Sequence, residues 1–449
     1  MKLQSNKRSA RTSSKKVIVS NNAKGLTSQA GLVPVVKFLR SAGMLETIKE
    51  TIDHKRGDNA LYDAVDAIFL SVVAIIGGAR SIRSVTTLWA DGVLRRLAGW
   101  MSIPDNSTLG RLFNTFHERQ VSQLETLNHK LRGKIWRKAL RSGTSTIAAR
   151  ACRTIDVDST EKTAYGEQQG VKKGYNPFRK GKPSYHPLLA FCAETKEILQ
   201  GWLRSGDAYT SNGIVDFTRQ LLAHLPNSQK IFFRGDSGFF NGKLFDLLDK
   251  YGHGYLVKAK FRGLKELLTS QIWQPIADQP GWEFCEFWHQ CGTWDTIRRF
   301  VAVRQEKKKD PKDKRGELFE LKDYDYFCYV TTEDQSAWDV HKTYGKRATC
   351  ETWIEEAKNQ MALAHIKMDD FWASSSVFQC TVIAYNTVRW MALCSGNREL
   401  RRWEPSTIRA FLVRVAGKLL VGSRQLQLKT PSDHLHLGLW NDWVAIGLN

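Results

Sequence analysis

Near residue 147 the spacing of the apolar residues changes from about 3.6 to about 2, and this change narrows the possible folds more than any other pattern in the chain. The segment 61–140, which precedes the change, repeats apolar residues at helical spacing. Beyond it, runs rich in β-branched and aromatic residues predict strands over 147–157, 187–193, 230–234 and 255–259. Amphipathic segments between them predict helices at 213–225 and 242–251. We therefore expect an α/β (α+β) fold in which helices flank one mixed sheet.

An excess of basic residues indicates a polyanionic partner. The 449-residue chain has 67 Lys and Arg residues against 45 Asp and Glu residues, a formal net charge of +22. Such a charge favours nucleic acid first and an anionic membrane surface second. The longest uncharged apolar run, 67–79, is shorter than the roughly 20 residues of a membrane-spanning helix, and no apolar signal segment follows the basic start. We expect a cytoplasmic protein that binds no membrane.

Composition and periodicity divide the chain into segments. The first 45 residues contain nine Lys or Arg residues and no acid, and their Ser, Asn and Thr content predicts a disordered basic arm. Later, strand-like runs and Trp273, Trp282, Trp288 and Trp294 interrupt the α/β rhythm, and helical spacing returns over 351–363, 375–393 and 407–420. The predicted segments are 1–45 (basic arm), 46–145 (helical DNA-binding domain), 146–261 (first part of the core), 262–340 (β-rich insertion), 341–395 (last helices of the core) and 396–449 (C-terminal helical region).

Three isolated carboxylates lie at the ends of predicted elements, where catalytic groups are common. Asp158 and Asp236 each end an apolar strand, a position where an acid is costly unless it is paired or bound to a metal ion. Glu351 shares a predicted helix face with Arg347 and Lys358, which lie four residues before it and seven after it. Spacing alone favours a salt-bridged surface for this helix.

Spacing also leaves the choice of carboxylates open. Asp156 shares a strand face with Asp158, and Glu355 lies one helical turn from Glu351. Three carboxylates within a few ångströms would raise one another's pKa, so such a cluster stays ionised mainly when divalent cations occupy it. Oxygen ligands suit Mg²⁺ or Mn²⁺. Two such ions about 4 Å apart activate an attacking hydroxyl and stabilise a leaving oxygen in phosphoryl transfer.

A four-point pattern in the last part of the core carries a family resemblance. Tyr344-x-x-Arg347-x-x-x-Glu351-x-x-x-x-x-x-Lys358 resembles, spacing for spacing, the signature of bacterial insertion-sequence DDE transposases. The resemblance covers about residues 150–395. It implies an RNase H-like core interrupted by the β-rich insertion.

Two further motifs carry the same resemblance. Asp158 begins the sequence Asp-Ser-Thr, which is similar to the first-aspartate motif of the family, and Asp236 lies in Arg-Gly-Asp-Ser-Gly-Phe, which is similar to the second. By this resemblance Asp158, Asp236 and Glu351 are the catalytic residues and the ligands of two Mg²⁺ (or Mn²⁺) ions. The resemblance also implies that the other three signature residues, Tyr344, Arg347 and Lys358, hold DNA phosphates near the cleaved end, as the corresponding residues do in the family.

The resemblance implies a DNA transposase that excises an insertion sequence at its terminal inverted repeats and transfers the strands into target DNA. It further implies a homodimer on double-stranded DNA and a bacterial, nucleoid-associated location. Two alternatives share the same core: a domesticated DNA-binding regulator that does not cleave, and an RNase H-like endonuclease without strand transfer.

The loop 172–182, between the first two predicted strands, combines bases with aromatic residues and glycines, a composition able to follow a phosphate backbone. A solvated hairpin is the alternative. The bases predicted to contact DNA are Lys172, Lys173, Arg179, Lys180 and Lys182. The charged segment 306–317 has the same two interpretations, and the insertion tryptophans fit either stacking on an unpaired base or a place in the core.

Overall fold

The N-terminal part of the protein is helical. The computed structural model describes residues 17–57, 59–174, 179–226, 228–292, 294–307 and 323–448. A short strand comes first and helices follow it: β1 (Leu26–Thr27), α1 (Leu32–Ser41), α2 (Met44–Thr51), α3 (Ala64–Gly77), α4 (Ile82–Trp89), α5 (Gly92–Ala98), α6 (Asn106–Phe113) and α7 (Glu118–Arg141).

Helix α3 lies at the centre of these helices. A capping box holds its first turn, in which the side chain of Asp63 accepts a hydrogen bond from the Asp66 N–H and the side chain of Asp66 accepts one from the Asp63 N–H. Its residues from Ala67 to Gly77 are buried on all sides, as expected for an almost wholly apolar helix. Helix α3 also packs on α1, α2 and α4.

A mixed sheet forms the middle of the molecule. Its region contains, in chain order, β2 (Cys152–Ser159), β3 (Lys162–Thr163), β4 (Ser184–Tyr185), β5 (Leu188–Cys192), β6 (Ile198–Trp202), α8 (Ile214–Ala223), β7 (Lys230–Gly235), α9 (Gly242–Lys250), β8 (Gly254–Lys258), α10 (Leu264–Thr269), β9 (Gln274–Pro275), β10 (Trp282–His289), β11 (Arg298–Glu306) and β12 (Tyr324–Thr331). Within the described residues, nine strands join in the order β6-β5-β2-β7-β8-β12-β11-β10-β9. Strands β2, β7 and β8 run parallel, and their other neighbours are antiparallel. The predicted mixed α/β class is confirmed.

The last part of the chain begins with helices that pack on the sheet. Its elements are α11 (Ala337–Gly345), α12 (Ala348–Glu355), α13 (Phe371–Cys394), α14 (Arg398–Arg402), α15 (Pro405–Ile408), β13 (Gly417–Val421), β14 (Leu426–Lys429) and α16 (Leu437–Leu448). Helix α13 is buried along nearly its whole length between α3, α7 and β6. The N-terminal helices and α13 therefore share one hydrophobic core, and the boundary predicted at residue 145 separates sequence segments but not cores.

The helix predicted over 407–420, and with it a wholly helical region 396–449, is wrong in part. Helix α15 continues as one π-helical turn to Val413, and the chain then forms β13. Strand β13 pairs with β1 on one side and with β14 on the other. A partner from the opposite end of the chain creates this strand, which local apolar spacing cannot reveal.

The disordered arm predicted over 1–45 is also wrong in its second part. Helix α1 lies in this range, and its side chains Leu32, Val35, Phe38 and Leu39 are fully buried. It packs on α16 as well as on α3. The basic composition of the first 45 residues conceals this amphipathic helix, because an average over the segment hides the spacing within it. Residues 1–16 lie outside the described residues.

The β-rich insertion predicted over 262–340 continues the core sheet. Strand β12 pairs antiparallel with β8, and β11, β10 and β9 follow it in the sheet. Of its tryptophans, Trp294 is buried whereas Trp288 is 66% exposed. Most of the predicted charged segment 306–317 lies outside the described residues, which omit 308–322.

Membrane-spanning length and apolarity do not occur together in any single helix of the described part of the chain. Helices α3 and α4 pass this test as a pair, but they meet at an angle of 86°.

Candidate functional site

Two predicted site residues lie side by side at the carboxyl ends of adjacent parallel strands. Strands β2 and β7 are in register up to the pair formed by Val157 and Gly235. Asp158 and Asp236 come next in each strand, so the register brings both carboxylates to the same edge of the sheet. Asp236 caps a short 3-10 helix, and its Oδ1 accepts a hydrogen bond of 2.8 Å from the Gly238 N–H.

Arg347 forms an ion pair with Asp158. Its Nη2 lies 2.8 Å from Asp158 Oδ2, while Asp158 Oδ1 accepts a hydrogen bond from the Ser159 N–H. The Arg347 residue is 6% exposed. Its buried Nε and Nη2 have no aligned hydrogen-bond acceptor among the described residues, because the contact with Asp158 has the distance but not the angle of a hydrogen bond. The guanidinium therefore retains donor capacity for a further anion.

Glu351 adds a third negative charge to this group. It lies one helical turn after Arg347 on α12 and is exposed. The pKa of Asp158 is raised to about 6, mainly by burial; the charge of Arg347 opposes this shift, and the charges of Asp236 and Glu351 add to it. Asp236 and Glu351 thus lie near enough to Asp158 to act on it electrostatically.

Asp156, the alternative to Asp158, has a different environment. It is fully buried, and its two carboxylate oxygens accept hydrogen bonds from Arg234, at 2.7 Å from Nε and 2.8 Å from Nη2. Arg234 also donates to the backbone oxygen of Thr343. This bidentate pair connects β2, β7 and α11, so the geometry gives Asp156 a structural position and leaves Asp158 at the strand end.

Glu355, the alternative to Glu351, is exposed and accepts a hydrogen bond of 3.1 Å from Asn359 Nδ2. The next residue, Glu356, is buried and forms an ion pair with Arg389. The helix predicted over 351–363 ends as an α-helix at Glu355 and continues as a π-helical turn.

The π-helical turn carries Lys358 back towards the end of β2. Its Nζ lies 2.7 Å from Glu161 Oε1 and 3.0 Å from Thr160 Oγ1. Tyr344, at the end of α11, packs its ring 4.7 Å from the ring of Tyr329. Burial raises the pKa of Tyr344 to about 12, with Arg347 opposing the shift and the nearby carboxylates adding to it. The structure therefore brings all four signature residues to the same edge of the sheet.

The predicted basic loop lies in the connection between β3 and β4, where Lys172 bridges to Ser184 of β4. Lys172 forms an exposed ion pair of 2.9 Å with Asp207, and the Arg179 guanidinium lies 5.6 Å from the ring of Tyr165. Lys173, Lys180 and Lys182 are exposed. Residues 175–178 of the loop lie outside the described residues.

Sequence reasoning missed the polar contacts that hold the chain just after Asp158. Ser159 Oγ lies 3.1 Å from His186 Nε2 and 3.2 Å from Thr210 Oγ1. Burial lowers the pKa of His186, so this imidazole is neutral near pH 7. Glu161, the partner of Lys358, was missed as well, although its position only three residues after Asp158 could have indicated that it lies near the site. No local pattern connects His186 or Thr210 to this edge.

The donor set of the site suits a hard divalent cation. Carboxylate oxygens of Asp158 and Asp236 converge by strand register, and a cation would relieve the repulsion that contributes to the raised pKa of Asp158. In the described ranges no three His, Cys, Asp or Glu side chains are already arranged around one metal position. One oxygen of Asp158 instead lies against Arg347.

Comparisons with known proteins identify a family and similar solved structures. The family model described as transposase DDE domain group 1 matches residues 9–445. Among solved structures, the chain is similar to one in the cryo-EM structure of the piggyBac transposase synaptic complex with hairpin DNA, at 12% identity and a TM-score of 0.44, over 85% of this chain and 79% of that chain. No curated protein sequence matches.

Proposed function

Because this chain belongs to the transposase DDE domain group 1 family, we propose that it excises an insertion sequence at its terminal inverted repeats and joins the excised strands to target DNA. One observation carries the proposal: Asp158 and Asp236 end adjacent parallel strands, and Arg347 and Glu351 stand one helical turn apart beside them. Carboxylates next to a buried guanidinium suit phosphoryl transfer, a reaction that needs no covalent protein nucleophile.

Asp158, Asp236 and Glu351 would hold two divalent ions, Mg²⁺ or Mn²⁺, whose chemistry is to activate the attacking hydroxyl and to stabilise the leaving oxygen. The ion pair between Arg347 and Asp158 reduces the repulsion within the carboxylate group before metal arrives. Arg347 therefore contributes both to assembling this site and to binding the anionic substrate.

Three signature residues would bind DNA phosphates near the cleaved end. Arg347 presents buried N–H groups without an aligned acceptor, and a phosphate offers oxygens in the geometry that a guanidinium binds best. Lys358 supplies a positive charge beside Thr160 and Glu161. With a pKa of about 12, Tyr344 remains a neutral hydrogen-bond donor.

DNA is the proposed partner along a larger surface. The net charge of +22 and the exposed Lys173, Lys180 and Lys182 support this part of the proposal. Segment 46–145 would bind the terminal repeats, and a homodimer would hold the two ends of the element together. The bacterial cytoplasm, at the nucleoid, is the location in which these DNA substrates occur.

The test is cleavage and joining of DNA that carries the sequences flanking the gene, with Mg²⁺ or Mn²⁺. We expect the parent protein to release the element and join its 3′ ends to a target. Asp158→Asn, Asp236→Asn and Glu351→Gln should each abolish both steps while DNA binding survives. Glu355→Gln is the matched control, because it removes one exposed carboxylate from the same helix.

Three results would contradict parts of the proposal. A parent protein that binds the ends but never cuts them would be a DNA-binding regulator. Cutting without joining would identify an endonuclease. Activity that survives Glu351→Gln but not Glu355→Gln would reassign the third carboxylate.

A further inference from the structure

A second basic site lies at the opposite end of β2 from Asp158. A cavity of about 510 Å³ opens between α2, α7 and the end of α8. Arg153, at the start of β2, lines this cavity, five residues before Asp158 and hence about 17 Å from it along the strand. The volume is within the range of small-ligand sites, which is roughly 300–1,000 Å³.

Two buried guanidiniums form the inner wall of the cavity. Arg132 and Arg153 are each 1% exposed. Arg153 donates from Nη2 to the backbone oxygen of Ile147 at 2.9 Å, but its Nε and Nη1 are buried without an acceptor among the described residues. A buried charged donor without a partner is costly, so these N–H groups indicate a missing anion.

No carboxylate in the described part of the chain lies within salt-bridge distance of Arg132 or Arg153. Glu197, which is fully buried nearby, has its oxygens engaged by the indole N–H groups of Trp136 and Trp390, at 2.7 Å and 2.6 Å. The charges of Glu197 and Glu194 act on Arg153, and Glu50 lines the cavity. These three carboxylates stand against five bases of the cavity, namely Arg132, Arg153, Lys130, Lys134 and Arg137, so positive charge is in excess.

Exposed bases at the cavity rim add further positive charge. Lys130, Lys134 and Arg137 are spaced four and seven residues apart, so they project from one face of α7. The ammonium groups of Lys130 and Lys134 donate to the hydroxyls of Thr51 and Thr47 on α2, at 3.0 Å and 2.7 Å. These contacts hold both bases beside the opening.

Apart from the exposed Glu50 on α2, the side wall offers aromatic and neutral polar surface. The ring of Trp136 packs against Arg132 and Arg153, whose guanidinium carbons are 5.6 Å and 4.6 Å from its centroid. His129 and His224 stack at 5.2 Å. Burial, with the charge of Arg132, lowers the pKa of both imidazoles to about 4, so they provide neutral hydrogen-bonding groups near pH 7.

We propose that this cavity binds a phosphate group, with Arg153 as its buried anchor and Lys130, Lys134 and Arg137 as its rim. The phosphate belongs either to the backbone of bound DNA or to a free nucleotide, and both sources present the same oxygens to the guanidiniums. The site does not depend on strand cleavage, because it is separate from the carboxylate edge of the sheet.

The experiment uses the full chain in metal-free buffer. Its probes are a labelled DNA duplex of arbitrary sequence and ATP. The rim variant is Lys130→Gln, Lys134→Gln and Arg137→Gln combined. The control is Lys243→Gln, Lys250→Gln and Lys265→Gln, which removes the same charge from exposed positions elsewhere. Arg153→Met tests the buried anchor, and the rim variant keeps the test valid if that core variant does not fold.

For a DNA source, we expect the rim variant to bind the duplex at least about tenfold more weakly than the control. The slope of log affinity against log salt should also fall by about 3, near 0.9 for each lost phosphate contact. For a nucleotide source, ATP should raise the Tm of the parent and the control by several degrees but not that of the rim variant. If rim variant and control agree in duplex affinity, in salt slope and in ATP response, the proposal is overturned.

Discussion

Arg347 and Asp158 form a nearly buried ion pair, with Nη2 2.8 Å from Oδ2, at the edge of the sheet where the candidate metal ligands meet. The pair connects the start of α12 to the end of β2. It also places a permanent positive charge among carboxylates that would otherwise repel one another. The same guanidinium has buried N–H groups without an aligned acceptor among the described residues, and its proposed contact with a DNA phosphate rests on this property.

Removal of Arg347 should therefore change both the electrostatics and the activity of the site. In Arg347→Met, the pKa of Asp158 should rise above its value of about 6, because the lowering influence is lost. Since a raised pKa in the folded state costs stability as pH rises through it, the Tm deficit against the parent in metal-free buffer should be larger at pH 8 than at pH 5. DNA cleavage should fall by at least about 100-fold.

Arg347→Lys is the control for this prediction. It keeps the charge and loses the fork of donors, so its Tm profile should remain close to that of the parent while cleavage still falls. If the Tm of Arg347→Met and the Tm of the parent change with pH in the same way, the ion pair does not control the pKa of Asp158.

The two aspartates of β2 should respond differently to the same substitution. Asp156→Asn breaks a fully buried bidentate pair with Arg234 and should destabilise the fold by about 3–5 kcal/mol. Asp158→Asn also breaks an ion pair, but Arg347 keeps the charge of Asp236 nearby, so the metal-free protein should lose clearly less stability near pH 7 than with Asp156→Asn. Thermal unfolding of the two variants checks this, and equal losses would contradict the separation of a structural from a catalytic aspartate.

A buried carboxylate in the helical core should make stability depend on pH. Glu125 accepts hydrogen bonds from Gln200, Gln220 and Gln379, and burial raises its pKa from 4.5 to about 7 in spite of them. Its folded pKa is the higher one, so the stabilisation is complete below pH 4.5 and is lost as pH rises through 7. The difference of 7 − 4.5 = 2.5 corresponds to about 3 kcal/mol.

Glu125→Gln removes this titration. Relative to the variant, the parent should lose about 3 kcal/mol of unfolding free energy between pH 4.5 and pH 8, measured by urea unfolding at each pH. Glu118→Gln, at an exposed position of the same helix, is the control. A parent and a Glu125 variant with the same pH dependence would contradict the prediction.

Neutralisation of the basic loop should weaken the binding of every DNA sequence to about the same extent. With Lys172, Lys173, Lys180 and Lys182 all changed to Gln, the slope of log affinity against log salt should fall by about 3. Lys172 should contribute least of the four, because Asp207 already pairs with it. Filter binding across a salt series measures the slope, and an unchanged affinity and slope would indicate that the loop is a solvated hairpin.

Local sequence information predicted much of this fold. The strands β5, β7 and β8 and the helices α8, α9 and α13 lie within a few residues of their predicted positions, because apolar spacing depends on neighbours along the chain. The acidic ends of β2 and β7 were equally visible, since an acid that closes an apolar run is conspicuous in a sequence.

The sequence by itself thus determined the types of most elements in the core, the mixed α/β class and the set of candidate residues. Only the tertiary structure decided which of them meet. The parallel register of β2 and β7 brings Asp158 beside Asp236, Arg234 takes Asp156 out of the site, and Glu161 pairs with Lys358. Each of these relationships depends on strand pairing or packing between distant segments, and no local periodicity encodes such a partner.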